Sequence, residues 1–409
     1  MGMELSTELK NRGLVQDTSA DIEKILGGKR TVYIGTDPTA DSLHVGHLAW
    51  VVLLKRLGDA GHKLILLVGG GTGMIGDPKE KGERSLKTMD EIDYNARAFE
   101  VQLRNLLGDR VDFEMVNNAE WLREVKLLDF LRDTGKHFTV NDLVKRDLIR
   151  RRLETPDESI SYTEFTYSLL QAYDYRELNE RYGCDLQIGG SDQWTNILSG
   201  VDLIRKTTGK EVFAFSFPLT TDASGRKFGK SEGNAVWLSG EKTSPYQFYQ
   251  FWLNVEDEKV IDYLKIYTFL SLDEIAGITK EHNIDPSTRI AQIRLAEEMT
   301  NFTHGEEATK SAARVSGILF EGSPLDDLSG ADKEMLIKNA PVFEGAEGRP
   351  LVEVLVESRL ASSKREAREF IESGAVTLGG EKLTDPEAKV EFAELAILKR
   401  GKKNLVVLT

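Results

Sequence analysis

The sequence predicts an α/β protein built on a doubly wound parallel sheet, followed by a helical stretch and a small α+β module. Three observations carry that expectation. Short β-rich runs in the first half are separated by segments long enough for helices, as parallel strands joined by crossovers require. One of these runs, from Lys63 to Val68, is apolar throughout after its lysine, as a strand buried on both faces should be. The residues with the most reactive side chains follow strands, at the end where such sheets gather ligands.

Thr31 to Thr36 is the first strand, and Asp37-Pro38 ends it, because proline breaks the element and restricts its neighbour. An amphipathic helix follows from about Leu43 to Leu57, closing near Gly58 and Gly61. The strand Lys63 to Val68 runs into Gly69-Gly70-Gly71-Thr72-Gly73. Next come a helix over Asp90 to Leu107 and a strand over Val111 to Val116. A helix around Phe165 to Tyr182, a strand at Cys184 to Ile188, a helix after Gly190-Ser191-Asp192 and a strand over Val212 to Leu219 complete this half. From Ser244 to Phe320 the pattern is helical, with Arg289 to Thr303 spaced as a helix and the aromatics of Tyr246 to Trp252 expected in its core. Gly322 to Gly348 carries Pro, Gly, Ser and acidic residues and reads as a linker. In the compact last stretch a helix starts at Ser363-Lys364-Arg365, and Ser373 to Gly380 reads as a hairpin turn region. The expected divisions are residues 1–220, a polar loop at 221–240, helices at 241–322, a linker at 323–348 and the small module at 349–409.

Composition bounds the function. A chain of 409 residues exceeds one typical domain, and 40% hydrophobic with 29% charged residues is ordinary for a soluble globular protein. The single cysteine, Cys184, forms no internal disulfide, which points to a reducing, cytoplasmic compartment. No charged-then-apolar leader and no apolar run of spanning length is evident, so no membrane partner is expected. A net charge of −14 argues against a protein that coats nucleic acid, yet leaves RNA open, because local basic patches decide binding.

Two stretches carry the chemistry. His44-Val45-Gly46-His47 opens a helix just after a strand, and Lys227-Phe228-Gly229-Lys230-Ser231 lies about 180 residues later in a polar loop. Alone, the first is more often a surface pair and the second a solvated turn. Together, with the rest of a nucleotide-binding domain between them, they predict a site that grips the polyphosphate of ATP from two sides. When a carboxylate attacks the α-phosphate, charge builds on phosphate oxygens, and catalysis is mostly positioning plus placed donors. His44 and His47, one turn apart at a helix start, supply donors backed by the helix dipole. Gly46 lets the nucleotide lie close to the backbone, and Lys227 and Lys230 meet the departing pyrophosphate. No protein-held metal is expected, since the histidines lack a third ligand nearby in sequence. The run Gly71-Thr72-Gly73-Met74-Ile75-Gly76 has the spacing of a phosphate loop, but Asp77-Pro78 stands where lysine and serine or threonine are required. It is either a tight turn that lets Asp77 face a cation, such as an amino group, or a glycine turn with a capping aspartate.

The residues from Tyr33 to His47, together with Tyr167 to Asp174, Gln187 to Trp194 and Lys227 to Ser231, in this order, resemble the bacterial-type tyrosyl-tRNA synthetases, a class I aminoacyl-tRNA synthetase family. The likeness extends over essentially the whole chain. It implies a Rossmann-like catalytic domain, an α-helical anticodon-arm domain, and a small RNA-binding domain shared with a ribosomal small-subunit protein. It implies that Tyr33 and Asp174 hydrogen-bond the hydroxyl of substrate tyrosine, while Asp77, Tyr167 and Gln171 hold its α-amino group. Gly35, Asp37, Asp192 and Gln193 lie around the adenylate, with Asp192 at the ribose. Thr39, His44, His47, Lys227, Lys230 and Ser231 handle phosphate, and Lys81 and Arg84 lie in a loop that assists the transition state, although its spacing differs from some relatives. Trp50 stands at a position that varies in relatives, so its effect on ATP is open. Without the resemblance, the buried Tyr33 and Asp174 would be read as satisfied core polar groups.

Such a pocket makes chemical sense, because a buried group that pairs with a phenol is stranded when phenylalanine enters. Tyrosyl enzymes are the standard example of this rejection, about 10⁵ without editing, a magnitude taken over from that example. The implied partners are L-tyrosine, ATP with magnesium, tRNA(Tyr) and a second copy of the chain, joined through the segment around Trp121 to Arg152. Basic clusters at Lys364, Arg365 and Arg368 and at Lys402 and Lys403 are candidate RNA phosphate contacts, with Arg205-Lys206 and Arg150-Arg151-Arg152 as further candidates for the acceptor stem. Competing expectations are another adenylyl-transferring enzyme of the same fold, such as a tryptophanyl synthetase, and a non-catalytic RNA-binding relative. Tyr33 with Asp174 opposes the first, and the intact His44, His47, Lys227 and Lys230 oppose the second.

Overall fold

The structure, a computed structural model, describes residues 4–78, 87–108, 111–156, 158–221, 230, 231, 234–321, 325, 328–401 and 404–409. The chain divides into two compact units, one of Met1–Ser239 with Glu256–Ala291, the other of Gly240–Val255 with Gln292–Thr409.

The first unit holds a five-stranded sheet with strands β1 (Thr31–Thr36), β2 (Lys63–Val68), β3 (Phe113–Asn117), β4 (Leu186–Gly190) and β5 (Phe213–Phe217). They lie in the order β3-β2-β1-β4-β5, and every pairing is parallel. The apolar run of β2 is buried from Leu64 to Val68, and all of β5 is buried, as strands covered on both faces must be. Helix α1 (Val45–Asp59) follows β1, α2 (Met89–Leu107) follows β2, α3 (Tyr162–Tyr182) precedes β4, and α4 (Trp194–Thr208) joins β4 to β5. Local sequence fixes their ends. Thr88 and Glu91 make a capping box for α2, Ser161 caps α3, and Gly183 closes α3 in the left-handed region at φ 68°. Helix α1 is apolar almost all round, and it is accordingly buried from Leu48 to Leu54. The chain leaves β1 toward β2 on one side and returns through β4 on the other. The crevice at that switch point is where such sheets bind ligands.

The helical block expected at residues 241–322 is split. Glu256–Ala291 joins the first unit, because the buried Arg12 donates to the carbonyls of Lys265 at 3.1 Å and Leu270 at 2.7 Å, and Tyr263 donates to the Thr221 carbonyl at 2.9 Å.

In the second unit a sheet runs in the order Glu381–Leu383, Val376–Leu378, Ala396–Arg400, Asn404–Leu408, Val342–Phe343, with only the last pairing parallel. The expected turn is present: Gly379 and Gly380, at φ 58° and 90°, join the two strands of a hairpin. Helices Leu351–Glu357 and Lys364–Glu372 bury Leu351, Val354, Leu355, Ala367 and Ile371 in one core with Val376 and Leu398 of the sheet. The linker expected at residues 323–348 is corrected. It holds the helix Gly330–Asn339, started by a capping box of Ser329 and Asp332 and anchored by buried Leu336, and the edge strand Val342–Phe343. One buried leucine in a polar, acidic stretch is too weak a period to announce a helix.

Candidate active site

A cavity of about 340 Å³ opens at the carboxyl ends of β1 and β4, lined by Tyr33, Gly35 and Asp37 on one side and Gln187, Asp192 and Gln193 on the other. Thr39, His44, Gly46, His47 and Trp50 close it at the start of α1, and Asp77, Tyr167, Gln171 and Asp174 also line it.

At the start of α1, His44 has extended backbone and stands as the N-cap. Its Nδ1 accepts the Gly46 N–H at 3.1 Å, and His47 Nδ1 accepts the His44 N–H at 3.0 Å. Two imidazoles thus make the reciprocal cap usually built from serine and glutamate. Because each Nδ1 is an acceptor, the proton of each neutral ring sits on Nε2, which becomes the donor. The rings lie 4.0 Å apart, His44 packs edge-on against Trp237, and His47 does so against both Trp50 and Phe99, each at 6.1 Å. The Val45 N–H donates to the Val236 carbonyl at 2.9 Å, and the Leu238 N–H to the Leu43 carbonyl at 2.8 Å. The chain leaving the lysine-bearing loop is therefore stitched to the histidine motif. Lys230–Ser231 pairs with Asn234–Ala235 as a short antiparallel ladder. Lys81, Arg84, Lys227, Lys402 and Lys403 lie outside the described residues.

The glycine run after β2 is a turn whose amides are spent internally. Gly69 N–H donates to the Thr36 carbonyl, Gly70 to Val68, Gly71 to Asn118 Oδ1 and Gly73 to Gly69, all between 2.7 and 2.9 Å. An anion would find none of these four donors. A side chain would not fit either, since a Cβ on Gly69 would lie 2.0 Å from Asp37 Oδ1 and one on Gly70 2.2 Å from Asn117 Oδ1. Gly76, at φ 79°, turns the chain, and Asp77 follows on the cavity wall. Asp77 accepts Gln193 Nε2 at 2.7 Å and Asn196 Nδ2 at 3.3 Å.

A hydrogen-bonded chain runs along the closed end. Asp37 accepts the Tyr167 hydroxyl at 3.0 Å and the Thr72 hydroxyl at 2.8 Å. Asn118 Nδ2 donates to Thr72 Oγ1 and to Asp174 Oδ2, each at 2.9 Å, and Trp121 Nε1 donates to Asp174 Oδ1 at 2.7 Å. Burial pushes the Asp174 carboxyl up to about 7, against the pull of those two donors. Burial, and then the Asp174 charge, keeps the Tyr33 phenol well above its ordinary range. The Tyr33 hydroxyl and Gln187 Oε1 are buried with no hydrogen-bond partner among the described residues. Buried polar groups are rarely left so, and both line the cavity. Burial, and then Asp37, likewise raises the Tyr167 phenol.

Thr72, Asn118 and Trp121 belong to this hydrogen-bonded chain, Asn196 holds Asp77 and Gln187 lines the cavity, and none of the five was given a site role from the sequence. Asn118 directly follows β3, and that position was the available signal. The basic residues are dispersed. Arg205 pairs with Asp202 at 2.7 Å and Lys206 donates to the His137 carbonyl at 3.0 Å. Lys364, Arg365 and Arg368 face Glu353, Glu369 and Glu387 at 2.7, 3.1 and 3.5 Å and stay largely exposed. Arg152 is a correction: it is buried and paired with Glu164 at 3.0 Å, so it offers nothing to an RNA surface. Lys399, in the strand Ala396–Arg400, donates to the carbonyls of Ile318 and Leu319, both at 3.1 Å. Among the described residues no group of three or more His, Cys, Asp or Glu side chains is placed to hold a metal ion, and no helix is long and apolar enough to cross a membrane.

This sheet, with a histidine-capped helix at its switch point, matches the class I tRNA synthetases of the tryptophan and tyrosine group over residues 27–321, and residues 332–408 match the C-terminal domain of tyrosine–tRNA ligases. The chain is 46% identical to tyrosine–tRNA ligase 1 of Vibrio parahaemolyticus, across 99% of this chain and 98% of the other, and 45% identical to the tyrosine–tRNA ligase of Geobacillus stearothermophilus across 99% of both. Among solved structures, a C-terminally truncated mitochondrial tyrosyl-tRNA synthetase of Aspergillus nidulans superposes with a TM-score of 0.70 and 31% identity, covering 78% of this chain and 95% of that one. The chain belongs to the tyrosine–tRNA ligase family.

Proposed function

We propose that this cavity runs both half-reactions of a tyrosine–tRNA ligase. The observation that carries the assignment is the buried, unpartnered Tyr33 hydroxyl on the same cavity wall as Asp174, whose two oxygens are held by Asn118 and Trp121. That is a socket for a phenol. A tryptophan side chain brings one N–H and a wider ring system to the same place and leaves Tyr33 unpaired.

In the first half-reaction the tyrosine carboxylate oxygen attacks the α-phosphorus of ATP, the bond to the bridging oxygen breaks, and pyrophosphate leaves with that electron pair. Magnesium arrives with the phosphates as part of the substrate. Asp77, Tyr167 and Gln171 hold the amine. Gly35, Asp37, Gly46, Asp192 and Gln193 surround the adenylate, with Asp192 at the ribose. The Nε2–H groups of His44 and His47, with Thr39, Lys227, Lys230 and Ser231, meet the phosphate charge, and Lys81 and Arg84 assist from the neighbouring loop. In the second half-reaction a hydroxyl of the 3′-terminal ribose of tRNA(Tyr) bonds to the tyrosyl carbonyl carbon. The carbon–oxygen bond to phosphate breaks, and AMP leaves with the electron pair while the hydroxyl proton passes to its phosphate.

Arg205, Lys206, Lys364, Arg365, Arg368, Lys402 and Lys403 are assigned to RNA phosphates. The exposed Leu127, Leu128, Leu131 and Val140, apolar side chains that water does not favour, are assigned to a homodimer contact. The cytoplasm is the assigned compartment. Tyrosine-dependent exchange of pyrophosphate into ATP, with magnesium, tests the reading. Absence of exchange with tyrosine, or faster exchange with tryptophan, would sink it.

A further inference from the structure

The two histidines at the start of α1 are held alike by backbone and differently by side chains. An amide on each Nδ1 decides which nitrogen carries the proton. One hydrogen bond sets the direction of a ring only loosely, and packing against neighbours does the rest. His47 lies edge-on to Trp50 of α1 and Phe99 of α2. His44 lies edge-on to Trp237, with 6.1 Å between ring centres and 73° between planes. That wall comes from the strand that leaves the lysine motif.

Trp237 can serve His44 because the backbone delivers it there. The Val45 N–H donates to the Val236 carbonyl at 2.9 Å and the Leu238 N–H to the Leu43 carbonyl at 2.8 Å. His44 and Trp237 therefore face each other across an antiparallel bridge. The two hydrogen bonds flank the pair and do not join it, and in that register opposite side chains stand closest. Leu238, the next residue, is buried and anchors the strand, whereas Trp237 is half-buried. A half-buried indole gives the core only part of its large apolar surface. Its edge on the imidazole is what this placement secures. Val236 follows directly on Asn234–Ala235, the partner of Lys230–Ser231.

We propose that Trp237 is a positioning residue for adenylate formation and acts through His44, holding its Nε2–H on the phosphate charge, an assignment that rests on the ligase reading. One strand then serves both motifs: it leads away from the lysines and backs the first histidine. An imidazole without that wall keeps its proton but spends time off its aim. A misaimed donor is lost where aim matters most, in the transition state, so the cost falls on kcat.

Trp237→Leu keeps an apolar side chain and removes the ring edge. Its kcat for tyrosine-dependent pyrophosphate exchange should fall about tenfold while the KM for tyrosine stays within about twofold, since misplacing a reacting group costs up to about 10². Trp237→Phe restores an aromatic edge and should recover most of the rate. The deciding readout is a double-mutant cycle with His44→Ala. If Trp237 acts through His44, Trp237→Leu costs less than about twofold in the His44→Ala background. A role in the fold alone would cost the same factor in both backgrounds, and that result overturns the proposal. An unchanged kcat in Trp237→Leu, a loss carried by the KM for tyrosine, or no recovery in Trp237→Phe overturns it too. Where Trp237→Leu does not fold, Trp237→Met in the same two backgrounds gives the same reading. Absence of exchange in the unaltered enzyme is a different result, which removes the ligase reading itself.

Discussion

At the end of the cavity proposed to take the amino acid, side chains hold side chains. Asp174 is fixed by Asn118 and Trp121, Asp37 by Tyr167 and Thr72, and Tyr33 is buried among them. At the end proposed to take phosphate, backbone holds side chains, for each histidine is oriented by an amide at the start of the helix. The difference follows from what each end must do. Telling one hydroxyl from none needs groups that suffer when left unpaired, and only desolvated groups do. Meeting a charge that grows during reaction needs aimed donors that require no reorganisation, and a helix start provides them.

The largest test of this contrast lies at the phosphate end. His47→Ala is expected to lower kcat for pyrophosphate exchange by about 10²–10³, as the loss of one aimed donor does elsewhere, with the KM for tyrosine little changed. Steady-state exchange kinetics measure both. A tyrosine KM that rises as far as kcat falls would show that the two ends are not separable.

Asp174→Asn probes the other end, with an expected loss of about 10- to 100-fold in kcat/KM for tyrosine from weakening one charged hydrogen bond. It also carries a pH signature. The folded protein raises this carboxyl from 3.8 to about 7, so the folded state binds the proton more tightly than the unfolded chain. Its contribution to stability is fully present below pH 3.8 and is lost as pH rises through about 7. Between about pH 5 and pH 8 the melting temperature of Asp174→Asn should therefore fall less than that of the unaltered protein. The ionised form is the better acceptor for a phenol, so the KM for tyrosine should rise as pH falls through about 7 and flatten in the variant. Equal pH slopes in the two proteins would remove Asp174 from the discriminating end.

How much of this was legible in the sequence depended on the range of the interaction. The strands at Thr31–Thr36 and Lys63–Val68 are where their residues alone put them, because a buried parallel strand is a local signal. The rejection of the glycine run as a phosphate loop also rested on a local fact, Asp77, and the spent amides agree with it. Asn118 and Trp121 were invisible because they lie 56 and 53 residues before the aspartate they hold. Arg152 misled for the same reason, since three arginines in a row look like a surface until Glu164 is found against one of them. In the small module Lys364, Arg365 and Arg368 each face a glutamate, which sequence spacing does not show.

Gly69→Ala asks whether the closed end is as rigid as its packing suggests. Its Cβ would fall 2.0 Å from Asp37 Oδ1 and 2.5 Å from Thr72 Oγ1, neither of which can move without breaking the chain that reaches Asp174. Overpacking of this kind costs about 1–3 kcal/mol, to be read by urea unfolding, with a rise in the KM for tyrosine. Unchanged stability together with an unchanged KM would mean that Asp37 relaxes freely.

The smallest expected effect is the most diagnostic. In the free protein the Tyr33 hydroxyl is buried without a partner among the described residues, so removing it strands nothing. Tyr33→Phe should therefore leave the melting temperature unchanged or slightly higher, where the loss of a satisfied core tyrosine would lower it. The discrimination of tyrosine from phenylalanine should nonetheless fall by about tenfold, measured as the ratio of kcat/KM in exchange, because the lost bond is one only the substrate makes. A stable variant with intact discrimination would make Tyr33 a spectator and leave Asp174 to read the phenol alone. A destabilised variant would restore the ordinary reading of a buried tyrosine as part of the core.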